Sequence, residues 1–223
     1  MSMRALDVLR SVDLVAAEDT RVTGALLAHF SIEKPLIALH QHNERRSIAR
    51  VLAALAEGQA VALAADAGTP GLSDPGALLV RAVRDEGMAT IPIPGASALA
   101  AAWSVSGLST PFLFQGFLPA RSAERRKVLA SLAHMPCALV FYEAPHRIVE
   151  TARDLVAVLG DARETVVARE LTKMFETVHA CTLAELPGWL EADANRQRGE
   201  FVLMVAGAAE SPPQDELAER ALD

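Results

Sequence analysis

A loop rich in glycine and proline, Asp66-Ala67-Gly68-Thr69-Pro70-Gly71, carries the clearest sign of chemistry in the sequence. It follows an apolar, strand-like run and leads into a helical stretch. In open α/β sheets, ligands bind just beyond the carboxyl ends of the strands. Glycine lets the backbone approach a ligand closely, and the Asp66 carboxylate can accept hydrogen bonds from a ribose or an amine. The loop therefore indicates a ligand-binding turn, and an ordinary tight turn before a helix is the alternative.

A second loop of the same character, Pro94-Gly95-Ala96-Ser97-Ala98, also joins a strand-like run to a helical stretch. Ser97 is equally suited to cap that helix and to contact a ligand. Two consecutive loops of this kind at one edge of a sheet would line a single crevice. Neither loop contains Gly-x-Gly-x-x-Gly or Gly-Lys-Ser/Thr, so nicotinamide dinucleotides and nucleoside triphosphates receive little support as ligands.

Charged side chains follow three other strand-like runs. The clusters are Glu18-Asp19-Thr20-Arg21, Tyr142-Glu143-Ala144-Pro145-His146-Arg147 and Arg169-Glu170-Leu171-Thr172-Lys173. Their carboxylates could act as general bases and their cations could bind phosphates. Capping and salt bridges on a solvated rim explain each cluster equally well, but three clusters at strand ends favour a shared site. Tyr142, the only tyrosine, could stack on a base or an adenine, or close the core.

Composition narrows the functional classes. The net charge of −7 argues against a surface that attracts nucleic acid throughout, although the basic runs at Arg45-Arg46, 121–127 and 196–198 could together bind phosphates. No apolar run reaches the roughly 18 residues that a membrane span needs. The N-terminus lacks the features of a signal peptide, so we expect a cytoplasmic protein. His40-Gln41-His42 lacks a third ligand at characteristic spacing, so we expect no metal site.

Apolar strand-like runs alternate with helical stretches, which predicts an α/β fold with mostly parallel strands. The predicted strands are Val12–Ala16, Leu36–Leu39, Ala60–Ala65, Thr90–Ile93, Phe112–Phe117, Ala138–Tyr142, Glu164–Ala168 and Phe201–Val205. The predicted helices are Val22–Phe30, Arg45–Glu57, Pro75–Glu86 with Asp74 as its N-cap, Ala98–Val105, Ala123–Ala133, His146–Leu159 and Leu183–Ala192.

A change of composition near Gly107 to Pro111 predicts a domain boundary. Residues 1–110 would form an N-terminal α/β lobe, and residues 111–209 a C-terminal α/β lobe. The segments Glu164–Ala168 and Glu176–Thr182 could pair as antiparallel strands, so the second sheet is predicted to be mixed. Residues 210–223 are predicted to be a linker, through Ser211-Pro212-Pro213, and the start of a helical tail.

The order of these motifs resembles the tetrapyrrole methylase superfamily of S-adenosylmethionine-dependent enzymes, and within it the branch that methylates ribosomal RNA. The resemblance covers almost the whole chain. It rests on Ala17-Glu18-Asp19-Thr20-Arg21, His42-Asn43-Glu44, the Asp66–Gly71 loop, the Pro94–Ala98 loop, Phe141–Arg147, Arg169–Lys173 and Gly199-Glu200-Phe201. It implies two αβα lobes with a cofactor cleft between them. It also implies a homodimer that uses S-adenosylmethionine to methylate the ribose 2′-hydroxyl of a cytidine in the decoding region of 16S rRNA, with 16S rRNA or the small ribosomal subunit as partner.

The resemblance also implies roles for particular residues. Those that would contact the cofactor are Asp66, Ala67, Gly68, Thr69, Pro70, Ser97 and Ala98, with Tyr142, Ala206 and Gly207 from the second lobe. A ribose hydroxyl becomes a good nucleophile when a base takes its proton. The candidate bases are Glu18, Asp19, Glu143 and Glu170, and the candidate phosphate-binding cations are Arg21, Arg147, Arg169 and Lys173.

Two features differ from the family's pattern. The family opens with a strand and a Pro-Ile-Gly-Asn loop before the helix that matches residues 4–9, and it continues past Pro212-Pro213 into a small helical domain. We therefore expect a chain shortened at both ends, whose first sheet has an unpaired edge or gap. The alternatives are a tetrapyrrole (precorrin-type) methyltransferase, which would need an apolar trough, a non-catalytic relative that binds RNA or ribosomes, and a nucleotide-sugar or phosphate-binding enzyme.

Overall fold

The computed structural model describes residues 1–40, 43–109 and 111–209. The helices are α1 Met3–Ser11, α2 Thr20–His29, α3 Glu44–Ala56, α4 Ala77–Asp85, α5 Ala98–Ser104, α6 Ser122–Leu132, α7 Ile148–Leu159 and α8 Leu186–Glu191, with short 3-10 turns at Pro145–Arg147 and Ala194–Gln197. The strands are β1 Leu14–Ala17, β2 Leu36–Ala38, β3 Val61–Ala64, β4 Phe112–Phe117, β5 Ala138–Glu143, β6 Glu164–Arg169, β7 Thr177–Thr182 and β8 Phe201–Val205. The predicted linker and tail at 210–223 lie outside the described residues.

The first compact unit, Met1–Ser97, contains a parallel sheet in the order β2-β1-β3. Every residue of the central strand β1 is buried, because helices cover both faces of the sheet. Val15 on one face packs with Leu6 of α1 and Leu27 of α2. Ala16 on the other face packs in the cluster to which α3 and α4 contribute. This double coverage explains the uninterrupted apolar runs that predicted parallel strands.

The start of α4 differs from its prediction. The helix begins at Ala77, and its N-cap is Gly76 at φ +126° rather than Asp74. A Cβ atom at Gly76 would lie 2.6 Å from Cδ2 of Leu63, so this position requires glycine. The Gly76 N–H donates to Oε1 of Glu44 at 3.2 Å. The Asp74 carboxylate is thereby left for another role.

The predicted strand Thr90–Ile93 is wrong. Residues 89–97 form neither helix nor strand, and the Ile91 side chain is 70% exposed. A strand needs a neighbouring strand to satisfy its backbone hydrogen bonds. Residues 90–93 pair with none of the described strands, since the sheet of this unit contains β2, β1 and β3 only.

The second compact unit starts at Ala98 and contains a five-stranded sheet in the order β4-β5-β8-β6-β7. Only the β4–β5 pairing is parallel, and β6 and β7 pair antiparallel with Glu164 opposite Thr182. The prediction of a mixed second sheet is confirmed. One face packs against α6, α7 and α8, and the other packs against α5. Both units are therefore αβα layers, as the resemblance implied.

The chain divides into the two units between Ser97 and Ala98, whereas the composition change indicates a boundary near residue 110. Helix α5 lies between the two positions. Its residue Ala102 is fully buried in the cluster formed by Val140, Val166 and Met204 of the second sheet. The packing of one short helix thus decides where the units divide. Among the described residues, no helix has both the length and the apolar character to span a bilayer.

Candidate functional site

The residues that follow β1 and β3 are joined directly at one edge of the first sheet. The Asp19 N–H donates to Oδ1 of Asp66 at 3.0 Å, and the Asp66 N–H donates to Oε2 of Glu18 at 3.2 Å. Because β1 and β3 are parallel neighbours, their carboxyl ends lie at the same edge. This edge is where α/β sheets bind ligands. We call the carboxylates Glu18, Asp19, Asp66 and Asp74 the acidic edge.

Asp19 is committed to a neighbouring cation. Its side chain caps α2 by accepting a hydrogen bond from the Arg21 backbone N–H at 2.8 Å. Its Oδ2 also lies 2.5 Å from Nη2 of Arg21. The hydrogen bonds from Arg21 lower the pKa of Asp19 to about 2, and the same contact raises the pKa of Arg21. A carboxylate with so low a pKa is a weak base at neutral pH. Arg21 itself is largely exposed.

Asp74 is the member of the acidic edge that sequence analysis missed, because its position before a helix favoured a capping role. Burial raises the pKa of Asp74 to about 6, and the nearby carboxylates of Glu18 and Asp66 add to the increase. A carboxyl group that is partly buried beside two other carboxylates titrates near neutral pH, which is typical of functional sites. The acidic edge is therefore suited to bind a cationic ligand, and Asp74 is suited to accept a proton. The signal available in the sequence was that Asp74 belongs to the same Gly- and Pro-rich segment as Asp66.

The Asp66–Gly71 loop presents its backbone openly. Gly68 and Gly71 adopt φ angles of +72° and +79°, which glycine reaches without strain. No atom lies within 4 Å of the place where a Cβ atom of Gly68 would stand. The Thr69 hydroxyl donates to the carbonyl of Ala96 at 3.1 Å. The structure therefore brings together the two glycine-containing loops that the sequence marked as ligand-binding candidates.

In the second unit, Tyr142 lies against the start of α5. Its hydroxyl accepts a hydrogen bond from the Leu99 N–H at 3.2 Å, directly after Ser97 and Ala98. Its ring packs edge-on against Phe114 at a centroid distance of 4.8 Å and against Phe117 at 5.7 Å. Tyr142 thus holds the first turn of α5 in place.

Ala206 and Gly207 are not brought to Tyr142. β5 and β8 are antiparallel, so Tyr142 pairs with Val202 and Leu139 pairs with Val205. Ala206 and Gly207 follow Val205 and therefore lie at the opposite edge of the sheet, about 10 Å or more away at ~3.3 Å per residue. A Cβ atom at Gly207 would lie 2.0 Å from the Pro136 carbonyl oxygen, so this glycine permits close backbone packing.

Glu143 is buried and fully engaged. Its Oε1 accepts from Nε of Arg147 at 2.5 Å and from the Ala144 N–H at 2.7 Å, and its Oε2 accepts from the Thr151 hydroxyl at 2.7 Å. The side chain of Arg147 is itself only 12% exposed. This arrangement anchors the turn between β5 and α7. Arg147 and Glu143 satisfy each other within their own unit.

Arg169 is also buried, and its guanidinium binds backbone. It donates to the carbonyl oxygens of Asn195, Arg198 and Phe175 at 2.9 to 3.0 Å. The neighbouring Lys173 contacts Glu170 at 2.8 Å and Glu200 at 3.1 Å. The contact with Lys173 lowers the pKa of Glu170 and raises that of Lys173. Charged residues of the third cluster therefore brace a hairpin.

The described residues contain no group of three or more His, Cys, Asp or Glu side chains placed to hold a metal ion. Gln41 and His42 of the His40-Gln41-His42 segment lie outside the described residues. The acidic edge and the two joined loops are thus the arrangement of the first unit with the clearest ligand-binding character. They lie at the carboxyl ends of parallel strands, the position at which proteins with layered α/β folds bind ligands.

The chain belongs to the family of tetrapyrrole (corrin/porphyrin) methylases, whose model matches residues 1–187. Among its relatives is the ribosomal RNA small subunit methyltransferase I of Xylella fastidiosa strain Temecula1, with 54% identity over 94% of this chain and 77% of the relative. The protein of the same name from Escherichia coli O157:H7 is 49% identical over 100% of this chain and 79% of the relative.

Solved structures share the fold at low identity. The methyltransferase CobJ superposes with a TM-score of 0.66 at 18% identity, covering 94% of this chain and 89% of CobJ. The uroporphyrin-III C-methyltransferase of Thermus thermophilus, solved as a complex with S-adenosyl homocysteine, gives a TM-score of 0.59 at 18% identity, covering 92% and 90%. The expectation of a tetrapyrrole methylase fold is confirmed.

Proposed function

We propose that the protein transfers the methyl group of S-adenosylmethionine to the ribose 2′-hydroxyl of a cytidine in the decoding region of 16S rRNA. The observation that carries the proposal is the 54% identity, over 94% of this chain, to a protein named ribosomal RNA small subunit methyltransferase I. The structural neighbours that act on tetrapyrroles are far less similar, at 17 to 20% identity, and support only the fold. The tetrapyrrole alternative is therefore the weaker one.

The acidic edge suits the proposed cofactor. S-adenosylmethionine carries a sulfonium and an ammonium group. Burial is the main cause of the high pKa of Asp74, and repulsion from Glu18 and Asp66 adds to it. A bound cation would relieve this repulsion. We expect Asp66 to accept hydrogen bonds from the cofactor, and the open backbone from Ala67 to Pro70 to lie against it. The predictions that Ser97, Ala98, Tyr142, Ala206 and Gly207 contact the cofactor remain predictions.

The cofactor would supply an activated methyl group, and the chain's own residues would orient the accepting oxygen and take its proton. Positioning of this kind can lower a barrier by roughly 7–11 kcal/mol, and a base adds roughly 10²–10⁴-fold. Of the four candidate bases, Glu143 is saturated by donors, and Asp19 and Glu170 have lowered pKa values. Glu18 then remains, and Asp74 joins it because its pKa lies near neutral pH.

The proposal is tested with purified protein, tritiated S-adenosylmethionine and small ribosomal subunits from a strain without this activity. We expect one methyl group per subunit, on a cytidine 2′-oxygen identified by nuclease digestion and mass spectrometry. Calorimetry with S-adenosylmethionine alone separates the rivals. Binding without any methylation of subunits or 16S rRNA would favour a different acceptor. Absence of binding would favour a non-catalytic RNA-binding relative.

The base is identified by replacing Glu18, Asp19, Asp74, Glu143 and Glu170, one at a time, with the corresponding amide. We expect Glu18→Gln or Asp74→Asn to lower kcat by at least about 10²-fold without lowering the free energy of unfolding. Glu143→Gln should instead lower the free energy of unfolding, because it weakens a buried ion pair. If no amide lowers turnover tenfold, positioning alone accounts for the rate.

The proposal also covers the binding partner of the protein, its cellular location and its oligomeric state. We propose that the small ribosomal subunit is the physiological partner, that the protein acts in the cytoplasm where these subunits are made, and that it works as a homodimer. Arg21, Arg147, Arg169 and Lys173 remain predicted phosphate contacts, and Arg21 is the most exposed of them at 88% of its side chain. Light scattering on the purified protein tests the dimer.

A further inference from the structure

Two helices of the first unit carry exposed arginines without ionic partners. The arginines are Arg45, Arg46 and Arg50 on α3 and Arg81 and Arg84 on α4. Throughout the described ranges, none of the five forms a salt bridge. Some exposed arginines elsewhere are paired, since Arg10 pairs with Asp7 and Arg153 pairs with Glu191. We call the five residues the arginine face.

The fold places these side chains on two neighbouring helices. α3 and α4 pack side by side through a shared cluster that contains Val51, Leu79 and Val83. Arg46 and Arg50 are four residues apart on α3, and Arg81 and Arg84 are three apart on α4, so each pair lies on one side of its helix. Both pairs are exposed, because the buried positions of each helix face the cluster.

The arginine face has a charge opposite to that of the chain. The two helices contain five arginines against two acids, Glu44 and Asp85, in a protein whose net charge is −7. Glu44 is already engaged, because it accepts the Gly76 N–H. Guanidinium groups that are not paired within the protein are available to a polyanion, and their planar forks match phosphate oxygens. Phosphates of a nucleic acid are thus the complementary partner.

The arginine face also starts beside the candidate site. Asn43 and Ser47 tie the first turn of α3 to the carbonyl of Ala38, the last residue of β2, at 3.1 and 2.7 Å. β2 is parallel to β1, so this turn lies at the same edge of the sheet as Glu18 and Asp66. The acidic edge repels phosphates and the arginine face attracts them. A strand of RNA held on the arginine face would therefore keep its phosphates away from the acidic edge.

We propose that the arginine face is the surface of the first unit that binds the phosphates of the RNA substrate. The inference rests on the proposed function and deepens it by naming a docking face. In the basic run 121–127, by contrast, Arg121 pairs with Glu124 and Arg126 pairs with Asp154. Exposure, absence of ion pairs and position beside the site coincide on α3 and α4.

The test compares two double variants of the full chain. Arg46→Gln with Arg50→Gln removes two charges from the arginine face, and Arg4→Gln with Arg10→Gln removes two exposed charges from α1 of the same unit. Binding of a 16S rRNA transcript is measured from about 50 to 200 mM KCl. We expect the first variant to bind about tenfold more weakly and to reduce the slope of log affinity against log salt by about 1.4 to 1.8. Its affinity for S-adenosylmethionine should stay unchanged.

The second double variant should retain the wild-type salt slope. Equal slopes for wild type and the Arg46/Arg50 variant would overturn the docking face, and so would an equal reduction by the two double variants. Methylation of small subunits by the wild-type protein is measured in parallel. If the wild type methylates RNA while the slopes are equal, only the docking face is wrong. If the wild type neither binds nor methylates RNA, the proposed function fails first and the docking face with it.

Discussion

The backbone N–H of Asp19 donates a 3.0 Å hydrogen bond to the Asp66 carboxylate across 47 residues of sequence. A matching contact lies at the other end of the same two strands, where the Ala60 N–H donates to Oδ2 of Asp13 at 2.8 Å, again across 47 residues. The two aspartates make the same kind of bond at opposite edges of the sheet. They therefore form a natural pair of test and control.

We predict that Asp66→Ala weakens S-adenosylmethionine binding by about tenfold or more, because a hydrogen bond to a charged group is worth roughly 1.5–3 kcal/mol. Asp13→Ala removes the equivalent bond at the edge without the candidate site. Asp13→Ala should lower the free energy of unfolding by about as much as Asp66→Ala does, while leaving the cofactor affinity unchanged. Calorimetry and urea denaturation give the two quantities. Equal losses of cofactor affinity in both variants would show that Asp66 acts only on the fold.

We predict that Asp74 makes the protein less stable as the pH rises. Its pKa of about 6 in the folded state lies above the ordinary value of 3.8, so between these values the folded state binds more protons than the unfolded state. Stability contributed by this group is complete below pH 3.8 and is lost as the pH rises to about 6. Asp74→Asn should remove this loss.

The measurement is the free energy of unfolding of wild type and Asp74→Asn at several pH values between 4 and 7.5. The stability of the variant relative to the wild type should increase up to about pH 6 and then become constant. Glu57→Gln, which removes an exposed acid at the end of α3, is the control for a general effect of charge. A wild type and an Asp74→Asn variant with parallel pH profiles would contradict the assignment.

The positions of β1 to β3 and of the Asp66–Gly71 loop can be predicted from the sequence, whereas the role of Asp74 cannot. The apolar runs identified β1, β2 and β3 because strands buried on both faces leave no polar positions. Gly and Pro identified the Asp66–Gly71 loop because few other residues permit such a turn. Asp74 was missed because its raised pKa depends first on its burial and then on Glu18, which is far away in sequence. Neither cause can be read from the local pattern.

The wrong strand Thr90–Ile93 and two features of the second unit have the same physical origin. Thr90–Ile93 has the composition of a strand, but a strand also requires a partner, which the local sequence does not specify. The separation of Ala206 and Gly207 from Tyr142 follows from the antiparallel register of β5 and β8. Arg169 stays a predicted phosphate contact, but its burial against the carbonyl oxygens of Arg198 and Phe175 could not be predicted from the sequence. Burial and register are collective properties of the fold.

We predict unequal roles for the two arginines that bind Asp154 in the second unit. Arg125 is fully buried and contacts Asp154 at 2.6 Å, whereas the Arg126 side chain is 54% exposed and contacts it at 2.5 Å. Asp154→Asn should cost about 3–5 kcal/mol because Arg125 loses its countercharge inside the protein. Arg126→Ala should cost at most about 1 kcal/mol. Urea denaturation measures both, and equal costs would contradict this account.

We predict that Gly199→Ala destabilises the hairpin that holds Glu170. Gly199 has φ +92°, and a Cβ atom there would lie 2.3 Å from Cγ of Glu170. Strain of this kind costs about 1–3 kcal/mol, and it would also displace Glu170 from Lys173. Gly188→Ala is the matched control, because no atom lies within 4 Å of its added carbon. Thermal unfolding should show a lower Tm for the first variant only.

The buried Arg169 has a consequence for how the protein can change. Its guanidinium holds the hairpin after β6 through the carbonyl oxygens of Phe175, Asn195 and Arg198, which every amino acid possesses. The side chains at the tip of this hairpin, Met174 and Phe175, are 89% and 65% exposed. The backbone conformation of the tip therefore does not depend on the identity of these two side chains. Natural or engineered substitutions at Met174 and Phe175 can therefore change the surface of the tip while the hairpin backbone stays the same.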